Sequence, residues 1–187
     1  TRSPTDPTRE YAMRMSVFVF AATVLAASGA AAQEYPKLKA GQGELTMSSA
    51  KAGANAAPTK STMCTDDAVQ KEMTTMGAGM SREMCTKNEF RRDGSRYVGQ
   101  SECKIGDSKM VARTVMTLTG DTGYRTVIDA TYNPPFMGMK EAQTVIEARH
   151  VGACRDGLVP GDFITPGGQK VNLKGIGAAR PPAKLAQ

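Results

Sequence analysis

Four cysteines are the residues of this chain whose number and spacing point most directly to chemistry. Cysteine thiolates hold zinc or pair as disulfides, and an even number in an exported domain is typical of disulfides. No two cysteines form a C-x-x-C pair and His150 is the only histidine, so zinc binding is the weaker interpretation. The sequence therefore predicts two disulfides among Cys64, Cys85, Cys103 and Cys154.

The twelve methionines offer a second chemistry, because soft thioether sulfurs select Cu(I). Four of them recur every three or four residues, as along one face of a helix: Met73, Met76, Met80 and Met84. A buried helix face has the same pattern, since methionine fills irregular gaps in protein cores. Core packing is the preferred interpretation, and a Cu(I) site on these four residues is the alternative.

No set of residues forms a convincing catalytic group. A Ser-His-Asp hydrolase needs a histidine placed by a carboxylate, and His150 lies in a predicted strand that could turn it to either face. The adjacent acids Asp66 and Asp67 are explained by a helix start, where negative charge is favourable. The sequence thus predicts a protein that is not an enzyme and that needs no cofactor.

An apolar run near the start of the chain indicates the compartment. Residues 13–15 are Met-Arg-Met, an apolar stretch follows at 16–27, and small residues lead up to Ala32. This order is typical of a secretory signal peptide, and the run is shorter than the roughly 20 residues of a spanning helix. We predict a signal peptide at 13–32 that is cleaved after Ala32, a periplasmic product, and an upstream segment at 1–12 outside the native protein.

The charge of the predicted mature chain is mildly positive. The 187 residues carry a formal net charge of +6, and the first 32 hold three arginines and two acids, which leaves +5 after cleavage. No run of five like charges marks a nucleic-acid arm, so a nucleic-acid partner is not expected. A solvated basic surface is the simplest interpretation, and anionic envelope components are the partners it would attract.

The pairing of the cysteines follows from a hairpin signal. Asp93-Gly94 favours a two-residue turn, which would bring Cys85 within one residue of facing Cys103. One β-bulge would absorb that offset and bring the two sulfurs within bonding reach. Of the three possible connectivities, the sequence favours Cys85–Cys103, which leaves Cys64–Cys154.

Most of the chain reads as antiparallel strands. One helix begins at 65–67, where Asp and Thr side chains can cap it, and Gly77 and Gly79 are predicted to end it. The fold class is mainly β: an antiparallel meander of about seven strands, in a curved sheet or partial barrel, with one short helix and two disulfides. We expect a single domain at 33–154 and a Gly/Pro-rich tail at 155–187, with its last ten residues mobile. The predicted strands are 44–48, 61–64, 85–91, 96–103, 109–118, 124–132 and 143–151.

The order of these features resembles a bacterial family of small exported proteins, DUF3617. The matching stretches are residues 39–44, residues 64–68, Cys85, Cys103 and residues 149–154. The resemblance implies the architecture and an exported location, and it implies no reaction. One position departs from the family pattern, because Gly43 stands where a tryptophan is usual. That exchange would remove a large aromatic contact and weaken the first strand.

These observations lead to one functional expectation and two alternatives. The expectation is an exported periplasmic protein that binds a partner or supports the envelope without catalysing a reaction. One alternative is Cu(I) binding through the methionines. The other is carriage of a small apolar ligand by the curved sheet. The large side chains available are interpreted as core partners: Phe90, Tyr97, Tyr124 and Tyr132.

Overall fold

The computed structural model of the chain describes residues 35–51, 54–55 and 57–174. The predicted upstream segment, the signal peptide with its cleavage site and the last ten residues lie outside this part. None of the helices in the described part is both long and apolar enough to cross a membrane. The elements are α1 (Asp67–Met84) and the strands β1 (Gly41–Lys51), β2 (Ala54–Asn55), β3 (Thr59–Thr65), β4 (Cys85–Asp93), β5 (Arg96–Ile105), β6 (Ser108–Leu118), β7 (Gly123–Phe136), β8 (Met139–Gly152), β9 (Asp162–Ile164) and β10 (Lys170–Asn172).

The strands form one antiparallel sheet in the order β10-β9-β3-β1-β8-β7-β6-β5-β4, and β2 pairs with the end of β1. Consecutive strands β4 to β8 make a meander, as short connections favour. The sheet is open, since β10 and β4 end the order at opposite sides. The prediction of a mainly β fold with one helix is confirmed, and all seven predicted strands form. Three short strands, β2, β9 and β10, were not predicted.

The helix begins where the sequence indicates and runs further than predicted. Asp66 caps it by accepting a hydrogen bond from the Val69 N–H at 2.7 Å, and this bond lowers the pKa of Asp66. The predicted end at Gly77 and Gly79 is wrong, because both residues lie inside α1, which continues to Met84. Each glycine costs a helix only about 1 kcal/mol. Packing of α1 on β3, β4 and β5, with Val69 fully buried, offsets that cost.

Gly77→Ala should raise the free energy of unfolding by about 0.5 to 1 kcal/mol, because alanine is the better helix former. A Cβ atom at Gly77 would meet nothing within 4 Å, so no clash opposes the gain. Gly94 is a matched control, since its Cβ would also meet nothing but its φ is +62°. Gly94→Ala should therefore destabilise by about 1 kcal/mol. Urea denaturation measures both, and a loss of stability in Gly77→Ala would contradict the account.

The hairpin that joins β4 and β5 pairs its cysteines as predicted, with one correction to the turn. Asp93 faces Arg96, so the turn residues are Gly94 and Ser95 rather than Asp93 and Gly94. A glycine at the first turn position supplies the positive φ that a two-residue turn of this kind requires. A bulge beyond Cys85 then restores the alignment. Both predicted disulfides form: Cys85–Cys103 and Cys64–Cys154.

Within the described residues, the segment after Cys154, predicted as a tail, forms the two strands β9 and β10. Its strand β9 adds to the sheet beside β3, where Phe163 faces Met63. Asp162 is 2% exposed, and its carboxylate accepts hydrogen bonds from the Val159 N–H at 3.0 Å and from the Asn172 amide at 2.8 Å. A polar network and strand pairing hold this segment. The segment therefore forms strands although it has few large apolar residues, which the sequence prediction took as a sign of a tail.

Asp162 should make the protein sensitive to acid below about pH 4. The Lys170 ammonium, 2.9 Å away, lowers the pKa of Asp162 to about 2, and the Val159 and Asn172 donors act the same way. In the unfolded chain the pKa is about 3.9. The ionised carboxylate thus stabilises the fold fully above that value, and this contribution is lost as the pH falls towards 2.

The test of this acid sensitivity is a series of urea midpoints between pH 2 and pH 6. Asp162→Asn should be less stable than the wild type at pH 6, and the two curves should converge as the pH falls to 2. Asp107→Asn, at an exposed turn position, is the control for the loss of one carboxylate, and we expect it to lower stability at pH 6 less than Asp162→Asn does. Parallel curves for Asp162→Asn and the wild type would contradict this role of Asp162.

Candidate functional site

A cavity of about 190 Å³ lies between α1, the segment before β1, and one face of the sheet at β1, β3, β7 and β8. It is partly open to solvent. Most of the surface that lines it is apolar, and the polar residues at it include Gln70, Asp121 and His150. A mostly apolar concavity with a few polar groups is the usual form of a small-molecule site. The apolar lining residues are Pro36, Leu38, Leu45, Met63, Met73, Tyr124 and Ala148.

The register of the sheet explains which side chains meet at the cavity. Gly43 on β1 faces Met63 on β3 and His150 on β8. Residues directly opposite each other in antiparallel strands share a face of the sheet, so these three positions form one row. Because the central residue is a glycine, the row has side chains at both ends and none in the middle.

Gly43 leaves room where a side chain would fit. A Cβ atom built there would lie 3.7 Å from the Arg149 carbonyl oxygen and 3.9 Å from that of Met63, both ordinary contacts. Its φ is not in the left-handed region, so the backbone does not require glycine. The missing side chain therefore opens the floor of the cavity.

The segment before β1 forms a wall of the cavity and is tied down by polar bonds. The Gln70 amide bonds to both backbone groups of Leu38, at 3.1 Å and 3.0 Å, and Lys39 N–H donates to the Asp121 carbonyl at 2.7 Å. Tyr35 stacks on Phe90 with ring centroids 5.3 Å apart. The sequence does not predict this wall, because the segment before β1 has no strand or helix periodicity. The Gln70 amide could not be matched to Leu38 from spacing alone.

His150 is held by backbone groups. Its Nε2 lies 3.0 Å from the Ala40 carbonyl oxygen, and its backbone N–H donates to the Thr122 carbonyl at 2.7 Å. A carbonyl only accepts, so Nε2 carries a proton, and in the neutral imidazole Nδ1 has the free lone pair. Neither of these bonds is to a carboxylate, which a hydrolytic histidine would need. That the protein is not an enzyme stays a prediction.

Tyr124 gives the cavity a neutral aromatic wall. Burial raises the pKa of its phenol, so the hydroxyl stays protonated at physiological pH. The other predicted large side chains lie elsewhere: Phe90 stacks on Tyr97 at 5.5 Å, and Tyr132 stacks on Phe136 at 5.8 Å. Of the four aromatic residues interpreted as core partners, Tyr124 is thus the one that lines the cavity.

The methionine stripe does not converge on one site. All four residues lie on one face of α1, yet Met73 alone among them lines the cavity. Met80 and Met84 are 45% and 44% exposed, and Met76 is half-buried. Met73 instead shares the cavity with Met63 and His150. Within the described ranges, no group of three or more His, Cys, Asp or Glu side chains could hold a metal ion.

Comparison with known proteins gives one match. The model of a family described as a protein of unknown function (DUF3617) matches residues 38–154. Searches of curated proteins and of solved structures found no match. The matched stretch covers more than half of the 187 residues and contains the helix, both disulfides and the strands from β1 to β8. The chain therefore belongs to the DUF3617 family.

Proposed function

We propose that this protein binds a small, mostly apolar molecule in the cavity over Gly43 and catalyses no reaction on it. The observation that carries the proposal is the cavity itself, which combines an apolar lining with an open floor at a strand position that tolerates a side chain. A cavity that is left unfilled costs stability, so its presence in a small domain favours a ligand-binding role.

The size of the cavity limits the ligand. An apolar cavity of about 150 Å³ in another protein is large enough for benzene, so about 190 Å³ suits a single ring or the end of a short alkyl chain. Drug-sized ligands need about 300 Å³ or more. The polar groups at Gln70 and His150 would orient a ligand that carries one polar substituent.

The proposed location is the periplasm. Both disulfides indicate a compartment outside the cytoplasm, because cytosolic thiols are kept reduced. The basic start, apolar run and Ala-x-Ala sequence at 13–32 support export with cleavage after Ala32. A carrier of small apolar molecules fits an aqueous compartment between two membranes.

Binding can be tested with indole as the probe and ¹³C-methyl methionine as the reporter. Titrated indole should shift the methyl signals of Met63 and Met73, which line the cavity, in a saturable way. Met137 is the internal control, because it is 83% exposed at the tip of the β7–β8 hairpin and should not shift. The absence of saturable shifts at Met63 and Met73, or equal shifts at Met137, would refute the proposal.

A further inference from the structure

We infer that the same cavity holds a Cu(I) site formed by the sulfurs of Met63 and Met73 and by Nδ1 of His150. This inference goes beyond the binding of an apolar molecule, and it replaces the four-methionine stripe with ligands from three elements. Met63 comes from β3, Met73 from α1 and His150 from β8, and all three line one cavity. Thioether and imidazole donors are the set that suits Cu(I).

The strand register sets the spacing of two of the ligands. Met63 and His150 stand on the same face, one strand to either side of Gly43. Neighbouring strands lie about 4.8 Å apart, so their Cα atoms are roughly 10 Å apart. Two side chains that lean towards each other across that gap leave space for one ion, and Gly43 places nothing between them. Met73 approaches from the helix on the other side of the cavity.

The hydrogen bond of His150 prepares the imidazole for a metal. Metal-binding histidines usually donate their other ring N–H to a carbonyl or carboxylate, which fixes the tautomer. Here Nε2 is 3.0 Å from the Ala40 carbonyl oxygen, which leaves Nδ1 free to bind. Gly41 permits this contact, because its φ is +133° and a Cβ atom there would lie 2.7 Å from Nε2. The absence of a side chain at Gly41 thus leaves the space that the His150 ring occupies.

The charge of the site favours a monovalent soft ion. Two thioethers and a neutral imidazole carry no charge, and an apolar surrounding makes a divalent ion more costly to desolvate than a monovalent one. The charged residues at the cavity add no net charge, since Asp121 offsets Lys39 and the Arg149 guanidinium pairs with Glu44 at 2.6 Å. All four cysteines are in disulfides, so no thiolate competes for the metal.

The test is a competition titration of the metal-free protein with Cu(I) held by a chromophoric chelator under anaerobic conditions. We expect one Cu(I) per protein with submicromolar affinity, weakened at least about tenfold in both Met63→Leu and Met73→Leu. Leucine conserves the volume, so the fold should survive, and circular dichroism verifies it. Met80→Leu is the matched control on the same helix face and should bind as the wild type does.

A second readout uses the sole histidine. Its single set of imidazole ¹⁵N signals should show Nδ1 shifting on Cu(I) addition while Nε2 keeps its bonded proton. Micromolar or weaker binding, an unmoved Nδ1 signal, or an equal loss in Met80→Leu would overturn the inference. The indole titration is run without metal, so the apolar-ligand proposal and the Cu(I) site succeed or fail separately.

Discussion

Replacing both Cys64 and Cys154 by alanine should lower the free energy of unfolding by about 4 to 5 kcal/mol. The two residues are 90 positions apart, so their bond removes much conformational entropy from the unfolded chain. It also ties β3 to the end of β8 across β1, since Cys64 and Gly152 both face Gln42. Cys64 is fully buried, so the substitution also loses packing.

The second disulfide is the matched comparison for the first. Cys85 and Cys103 are only 18 positions apart, and their joint replacement by alanine should cost about 3 kcal/mol. Urea denaturation of the oxidised wild type and of both double variants gives the two values. If removal of Cys85–Cys103 proved the more damaging, then loop closure would not be the main source of the stabilisation.

Gly43→Trp should abolish most indole binding and stabilise the fold. The indole ring would occupy the cavity, so added indole should bind more than tenfold more weakly. Replacing a glycine inside a strand regains about 0.5 to 1 kcal/mol, and burial of an apolar side chain adds about 1.5 to 3 kcal/mol. We therefore expect a gain of about 2 to 4 kcal/mol in the free energy of unfolding.

The control for this variant is Gly43→Ala, which adds one methyl group in ordinary contact distance of its neighbours. It should recover the stability that glycine costs inside a strand. Because it leaves most of the cavity open, it should weaken indole binding far less than Gly43→Trp does. Indole titration and urea denaturation of the three proteins supply the measurements. Undiminished indole affinity in Gly43→Trp would place the binding site elsewhere.

The strands and the Cys85–Cys103 disulfide were predictable because their signals are local, and Cys64–Cys154 followed as the remaining pair. The Asp93-Gly94 signal located the β4–β5 hairpin to within one residue, and this fixed which cysteine faces Cys103. The helix end was not predictable, since Gly77 and Gly79 are helix breakers only when packing and capping fail to compensate. Strand β9 was not predictable from hydrophobic patterning, because Asp162 stabilises its segment through polar contacts.

The site was much harder to predict than the fold. The cavity brings together residues 36–45, residues 121–124 and residues 148–150, which are distant in the sequence. The sequence places Met73 in a helical stripe of methionines. That Met73 and Met63 line the same cavity depends on how α1 packs against the sheet. The resemblance singled out Gly43 in the sequence, but it did not indicate a cavity there. Nothing in the sequence showed that the space it leaves would be lined and partly enclosed.

Native mass spectrometry of the protein, isolated without denaturation from cells that export it, tests the central claim most directly. The claim is that the cavity over Gly43 holds a small apolar molecule. The wild type should carry an additional mass of about one ring or one short chain in size, and Gly43→Trp should carry none. A wild type without bound mass, or the same bound mass in both proteins, would contradict it.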